Sequence, residues 1–484
     1  QQLVQIGELS EEAADVQDRI KQRVYIKTFG CQMNEYDTAK LYKILEREYL
    51  PVGSPELADL VLINTCSVRD KPEQKLYSLI GEMRPLKRKN PQMLVGVGGC
   101  VAQQEGHKIV SRSKEVDFVF GTHNLSLVPA LIAQRKNGAP PPVAVDYRDE
   151  WEELPLGYGE LNSQSRVTAF VSISRGCNKN CTYCIVPTTR GPEVSRGIEE
   201  ILREVRIAAQ RGAREIVLLG QTVNSYGLDL NPRLKFTELL ERISQVDAIK
   251  RIRFTSPHPQ EVRNDFFEIL RSNQKICRHI HMPLQSGSDR ILKLMNRNYR
   301  RKRYLDIIAG LKDADPEVAV TTDIIVGFPG ETRADFEETL EVMKEVEFDN
   351  SYSFVFSPRP GTSAAQMPDR QQASEKLDWL KELQSLQLEI TARRLRAWVG
   401  KTVEVLVEGP SKASPDSLQG RTSQNITVNL RRTQELVEPG RILPVSIESA
   451  ARFTLKGSLV TPIEEPGLVD SVESEGVQEL VAVN

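Results

Sequence analysis

Apolar positions along this chain recur with two periods, and the places where the period changes divide it. From Arg23 to Val128, short apolar runs alternate with helical patterns. "VYIKTFGC" reads as a strand and a turn. "DTAKLYKILERE" sets Leu41, Ile44, Leu45 and Glu48 at helical spacing, with Asp37 as candidate N-cap. "LVLINTC" and "MLVGVGGC" read as further strands, separated by a charged helical stretch. This rhythm predicts an α/β domain with an open parallel sheet over 23–145, after a tail at 1–22. The Pro-, Gly- and charge-rich "RKNGAPPPVAVDYRDEWEELPLGYGELNSQS" breaks the rhythm as a connector, with 146–165 as its linker.

Six strand candidates follow: "TAFVSIS", "EIVLLG", "RIRFTS", "HIHMPL", "VAVTTDIIVGF" and "NSYSFVFS". Most precede a helical segment such as "IEEILREVRIAAQRG" or "DFEETLEVMKEV". Six βα units predict a partial (β/α)6, TIM-like barrel over 166–396, ending in a long charged helix from about Ser374 to Trp398. Beyond Gly400 the runs shorten ("KTVEVLVEG", "LQGRTSQNITVNL", "RILPVSIESA", "TLKGSLV"), which predicts a small β-barrel over 397–462. No internal repeat is present.

Charge changes the picture locally. The segment from Asp289 to Arg303 holds seven basic residues against one acid, and reads as a solvated helix face or a phosphate-contacting one. The last stretch, 463–484, holds six acids and no Lys or Arg, the pattern of a disordered tail. Arg396 to Lys456 is mildly basic, with nine cations and six acids. The longest apolar runs are too short to span a membrane, and the first residues lack the pattern of a secretory signal. Seven cysteines in 484 residues do not resemble a disulfide framework, so a cytoplasmic location is expected, with cysteines serving metal or redox chemistry.

Six of those cysteines form two sets. Cys31, Cys66 and Cys100 each follow a candidate strand, and a parallel sheet carries all such positions to one rim. The bland alternative is three buried small hydrophobes, which would sit inside strands rather than past their ends. The second set, Cys177, Cys181 and Cys184, lies in "GCNKNCTYC", a Cys-x3-Cys-x2-Cys loop after the first barrel strand. Thiolates favour zinc or iron–sulfur clusters. Zinc wants a fourth ligand, and no histidine lies between Asn124 and Pro257. A cubane cluster on three cysteines keeps one iron open for chemistry. Cys277 is left over and reads as structural.

The loop, with Tyr183 before its last cysteine, resembles the signature of radical S-adenosylmethionine enzymes. The resemblance implies that the cofactor's methionyl group takes the open iron and that cleavage of its sulfonium releases a deoxyadenosyl radical. It further implies cofactor contacts from "LLGQTVNSYG" (Gly220, Gln221, Asn224), from Ser256 in "FTSPHP", and from "IIVGFPGE" (Ile325, Gly327, Pro329, Glu331). For "GFPGE" a plain turn is an equal reading. "TFGCQMNEYDTAK", "INTCSVRDK" and "VGGCVAQQEG" resemble the N-terminal domain of the methylthiotransferases, where three cysteines hold a second cluster. "SRGCNKNCTYCIVPTTRGPEVSR" and "FVFSPRPGTSAA" fit the same family, and the terminal β-barrel resembles a TRAM RNA-binding domain. The likeness spans Arg23 to Val460.

Within the family, "GCQMNEYDT" and "GQTVNSYG" look most like the MiaB-type branch, which modifies tRNA; Thr188 and Gly197 depart from its usual pattern. The implied activity is methylthiolation of carbon 2 of N6-isopentenyladenosine (N6-dimethylallyladenosine) at position 37, in the tRNA anticodon loop. Two 4Fe-4S clusters, S-adenosylmethionine and an electron donor of the flavodoxin or ferredoxin kind are implied with it, for a monomer. Catalytic residues stay unassigned. The alternatives are the same reaction on threonylcarbamoyladenosine or on a ribosomal protein, a non-catalytic iron–sulfur RNA-binding protein, and a zinc protein.

Overall fold

A computed structural model describes residues 21–67, 72–148, 151, 154–155, 167–411, 417–431 and 437–460. The acidic tail, nearly all of the N-terminal tail and most of the 146–165 linker lie outside them.

The first unit is a six-stranded parallel sheet. Its strands are β1 (Gln22–Thr28), β2 (Tyr49–Pro51), β3 (Leu60–Thr65), β4 (Leu94–Gly99), β5 (Phe118–Phe120) and β6 (Val143–Ala144), in the order β2-β1-β3-β4-β5-β6. Leu60 and Leu62 of β3 enter the core on one face, Val61 and Ile63 the core on the other. Burial on both faces explains a continuous apolar run rather than an alternating one. The short strands β2, β5 and β6 escape the periodicity reading. β6 lies inside the stretch read as a connector and pairs at the sheet edge, where neighbouring prolines are tolerated.

One local expectation is corrected. Asp37 does not cap the first helix, which runs Gln32–Leu45 with Cys31 at its N-cap. Asp37 lies within the helix and pairs with Arg190 Nη2 at 2.9 Å. Glu48 falls beyond the helix end.

The central unit contains β7 (Thr168–Ser172), a two-stranded ribbon of β8 (Ser174–Arg175) and β9 (Val194–Ser195), β10 (Glu215–Leu219), β11 (Arg251–Phe254), β12 (His279–His281), β13 (Ala319–Val326) and β14 (Asn350–Val355). β7-β10-β11 and β12-β13-β14 form two parallel halves, joined by a bridge between Ile252 and Ile276. The result is a partial barrel of six strands. Ile216 and Leu218 of β10 pack outward, whereas Val217 and Leu219 turn inward and meet Met33 and Tyr36 of the first helix. The N-terminal unit therefore packs directly on the barrel lining. The helix Ala373–Arg396 follows.

The last unit is a closed barrel of β15 (Thr402–Pro410), β16 (Ser417–Arg421), β17 (Thr427–Arg431), β18 (Ile442–Ala450) and β19 (Thr454–Leu459). It meets the N-terminal ends of the barrel strands: Arg251 donates to the carbonyls of Arg421 (2.6 Å) and Glu404 (3.0 Å), and Ser423 Oγ accepts from the Arg278 amide (2.9 Å). Among the described residues no helix is long and apolar enough to cross a membrane.

Candidate functional site: two cysteine triads on one cavity

The parallel sheet brings the first triad together as its topology requires. β1 and β3 are neighbours whose connections leave in opposite directions, and Cys31, Cys66 and Cys100 follow β1, β3 and β4 at this crevice. Gly30 makes the approach possible. Its φ is +120°, and a Cβ there would lie 2.3 Å from Cys66 Cβ. Asn34 Nδ2 donates to the Thr65 carbonyl at 2.6 Å, and the Val101 amide donates to Thr65 Oγ1 at 3.1 Å, so three loops share one hydrogen-bond frame. A hydrogen bond with Cys66, with help from the Arg190 charge and nearby backbone amides, lowers the Cys31 thiol to about 5 against the effect of burial. Burial raises Cys100, and Arg190 opposes it.

Arg190 comes from the other unit. It closes the short helix Val186–Arg190 that follows the second triad, and it is buried against Asp37, Cys31 and Cys100. Burial works against its charge, but Asp37 and the two cysteines outweigh that effect and hold its pKa above the ordinary arginine value. Thr122 Oγ1 donates to the Thr189 carbonyl at 2.7 Å, and His123 Nε2 lies 2.9 Å from the Arg190 carbonyl. The loop that carries one triad thus docks onto the other.

The second triad is fixed by its own frame. Gly176 (φ +75°) admits the Pro192 carbonyl, which would lie 1.9 Å from a Cβ. Thr182 donates from its amide to Met295 O (3.1 Å) and from Oγ1 to Leu294 O (3.0 Å), and its carbonyl accepts from the Ala364 amide (2.8 Å). Arg297 Nη1 stands 3.4 Å from Cys181 Sγ, and Thr222 Oγ1 3.5 Å from Cys177 Sγ. Burial pushes the Cys184 thiol up to about 12. Tyr183 packs beside Ile291, Met295, Phe328 and Ala364.

The expected cofactor contacts separate into two groups. Gly220 and Gln221 follow β10, and Gln221 Oε1 is buried without a hydrogen-bond partner among the described residues. An unsatisfied buried amide oxygen fits an amine donor such as a methionyl ammonium. Ser256 (φ +52°) and Ile325 line the cavity described below. Asn224 is engaged elsewhere, exchanging both hydrogen bonds of its amide with the His258 backbone (2.7 and 3.0 Å). Glu331 accepts from the backbone amides of Gly327 and Phe328, so "GFPGE" is stapled as a turn by its own carboxylate. Burial raises that carboxyl to about 7.

A cavity of about 2640 Å³ runs through the barrel and is lined by both Cys31 and Cys184. Phe170, Ser256, Ile325, Tyr352 and Phe354 are also on its wall. Among the described residues no three Cys, His, Asp or Glu side chains are grouped for a single metal ion. Each triad instead offers three soft thiols that suit an iron–sulfur cluster. Cys277 is buried beside Glu215 (3.7 Å) at the far end of the barrel, away from both sets.

Sequence reading missed Arg190 and Arg297 as parts of these sites. Arg190 lies within "CIVPTTRG", immediately after the triad, and that adjacency was the available signal. Arg297 was hidden in the basic run. Six of the run's seven cations have acceptors within the chain: Arg290 (Asp335), Arg297, Arg300 (Arg297 and Tyr299 carbonyls), Arg301 (Glu341), Lys302 (Asp306) and Arg303 (Val262 carbonyl). Within the run, Arg297 and the neighbouring Asn296 clasp the second triad's loop at Cys181 and the Asn180 carbonyl. At Gly197 a Cβ would meet nothing within 4 Å, and its φ of −58° is one that proline adopts.

Comparison with known proteins agrees with this geometry. Residues 171–343 match the Radical SAM superfamily, 23–121 the Uncharacterized protein family UPF0004, and 396–460 the TRAM domain. The tRNA-2-methylthio-N(6)-dimethylallyladenosine synthase of Sulfurihydrogenibium sp. (strain YO3AOP1) is 44% identical over 439 residues, 90% of this chain and 99% of that one. The enzyme of the same name from Geobacter metallireducens is 45% identical over 437 residues, 90% and 98% of the two chains. The radical S-adenosylmethionine methyltransferase TsrM from Kitasatospora setae shares the fold over 72% of this chain and 74% of its own, with a TM-score of 0.53 at 13% identity. The chain belongs to the tRNA-2-methylthio-N(6)-dimethylallyladenosine synthases, a family of radical S-adenosylmethionine methylthiotransferases.

Proposed function

We propose that this chain places a methylthio group on carbon 2 of N6-dimethylallyladenosine in a tRNA anticodon loop, the reaction its relatives are named for. One observation carries the reading: Cys31 of one triad and Cys184 of the other line a single cavity. Sulfur handled at one set and radical chemistry at the other can then act on the same base. An aromatic C–H position resists acid–base and nucleophilic routes, so cofactors must supply the chemistry. When bound, the two 4Fe-4S clusters and S-adenosylmethionine supply sulfur, a methyl group and one-electron cleavage of a sulfonium.

The chain's own residues hold and orient. Cys31, Cys66 and Cys100 would ligate one cluster and Cys177, Cys181 and Cys184 the other. Arg190 and Arg297 place a buried cation beside each set, which favours thiolate over thiol. Gln221 offers its buried carbonyl oxygen to an amine. A loop base can be unstacked and drawn into a barrel at modest cost. The β18–β19 hairpin of the terminal barrel is the proposed backbone contact, since Arg452 lies over the half-exposed Phe453 ring and Lys456 is exposed nearby. The division into 23–145, 166–396 and 397–462, a flavodoxin- or ferredoxin-like electron donor, a monomeric state and a cytoplasmic location belong to the same proposal.

Anaerobic reconstitution followed by iron and sulfide analysis tests it, with about eight irons per chain expected, four for each cluster. Bound zinc with little iron would overturn the cluster reading. Loaded protein that never cleaves S-adenosylmethionine under reductant would instead favour a non-catalytic RNA-binding role.

A further inference from the structure

We infer that the inward face of β14 is the seat of the target nucleobase, with Tyr352 stacking on the base and Phe354 packing against its N6 hydrocarbon. The assignment rests on the prenylated-adenosine reading above. β14 is the last barrel strand, and Tyr352 and Phe354 lie two residues apart, hence on one face. Both line the cavity shared by Cys31 and Cys184. They are nonetheless 54% and 49% exposed, the most open large apolar side chains of the barrel strands. Aromatic rings inside a cavity normally pack; half-open ones leave a face for a ligand.

The two rings differ in their surroundings. Tyr352 meets His281 edge-on (centroids 5.9 Å apart), and His281 is itself held by Asp323 (3.2 Å) and Thr321 (3.0 Å). This end of the face is polar and suits the ring nitrogens of an adenine. Phe354 joins no apolar cluster and makes no ring contact among the described residues. Its register partner on β13 is Ile325 and Phe356 follows two residues on; both pack against the same apolar cluster as Tyr183 and line the cavity. This end is apolar and suits a branched five-carbon chain rather than a polar N6 substituent.

The test uses reconstituted enzyme and two anticodon stem-loops, one carrying N6-dimethylallyladenosine and one unmodified adenosine. Stacking on an aromatic is worth about 1–3 kcal/mol per base, roughly five- to 150-fold in affinity. Tyr352→Ala should weaken binding of both RNAs within that range, and Tyr352→Phe should restore it. Phe354→Ala should weaken binding of the dimethylallyl RNA by at least about fivefold and leave the unmodified RNA unchanged, erasing the preference. Iron content and RNA-independent cleavage of S-adenosylmethionine should stay at the wild-type level in all three. Unchanged binding, or a Phe354→Ala loss equal on both RNAs, overturns the seat. Wild-type enzyme that never methylthiolates the dimethylallyl RNA contradicts the parent reading instead.

Discussion

Glu331 shows how a motif's own acid can hold the motif's backbone in shape. Its carboxylate holds the turn at Gly327 and Phe328, and burial lifts its pKa from the ordinary 4.5 to about 7. The folded state therefore binds a proton more tightly than the unfolded chain does. Stability from this site is fully present below about pH 4.5 and is lost as pH rises through about 7. Thermal melts should show that downward slope, and Glu331→Gln should flatten it between those values; an unchanged slope would place the titration elsewhere. At this scale the sequence was most legible for cysteines, whose positions after strands already implied a common rim. It misled at Asp37, an acid near the start of an apolar period that in fact lies inside the helix. Cys31, held by the Gly30 turn, begins that helix, and Asp37 meets an arginine 153 residues away.

Elements show why the basic run could be read two ways. Charge counted along a chain does not reveal which cations find partners, and helix Asp289–Leu294 with the loop after it lies against the second triad's loop. The run's cations pair with Asp335, Glu341 and local carbonyls. On the terminal barrel hairpin Arg452 and Lys456 are exposed, and neither pairs with a carboxylate among the described residues. Arg452→Ala and Lys456→Ala should each weaken tRNA binding across all sequences and reduce the salt dependence by about one counterion. Lys302→Ala, which loses only a surface pair with Asp306, should leave both unchanged. Equal effects from all three, read in a salt titration of affinity, would make the basic run a phosphate contact too.

The whole molecule is registered by a buried ionic cluster between its first two units. Lys40 of the first helix and Arg196 after β9 both pair with Glu204, and Tyr36 donates to the same carboxylate at 3.2 Å. Lys40 and Glu204 stand 164 residues apart, and each reads along the sequence as a solvated helix position, so nothing short of the folded chain pairs them. Breaking a buried pair costs about 3–5 kcal/mol. Glu204→Gln should therefore lower stability by that order. It should also uncouple the two triads, cutting methylthiolation more than cleavage of S-adenosylmethionine. A proportional loss of both, measured on the same loaded sample, would make the cluster merely structural.

The central claim, that both triads serve one reaction on one base, is tested most directly by mass-spectrometric nucleoside analysis of cellular tRNA. Strains with the gene, without it, and with Cys31, Cys66 and Cys100 all replaced by Ala should be compared. The account predicts 2-methylthio-N6-dimethylallyladenosine only in the first, with N6-dimethylallyladenosine accumulating in the other two. Undiminished 2-methylthio nucleoside in either altered strain would contradict it.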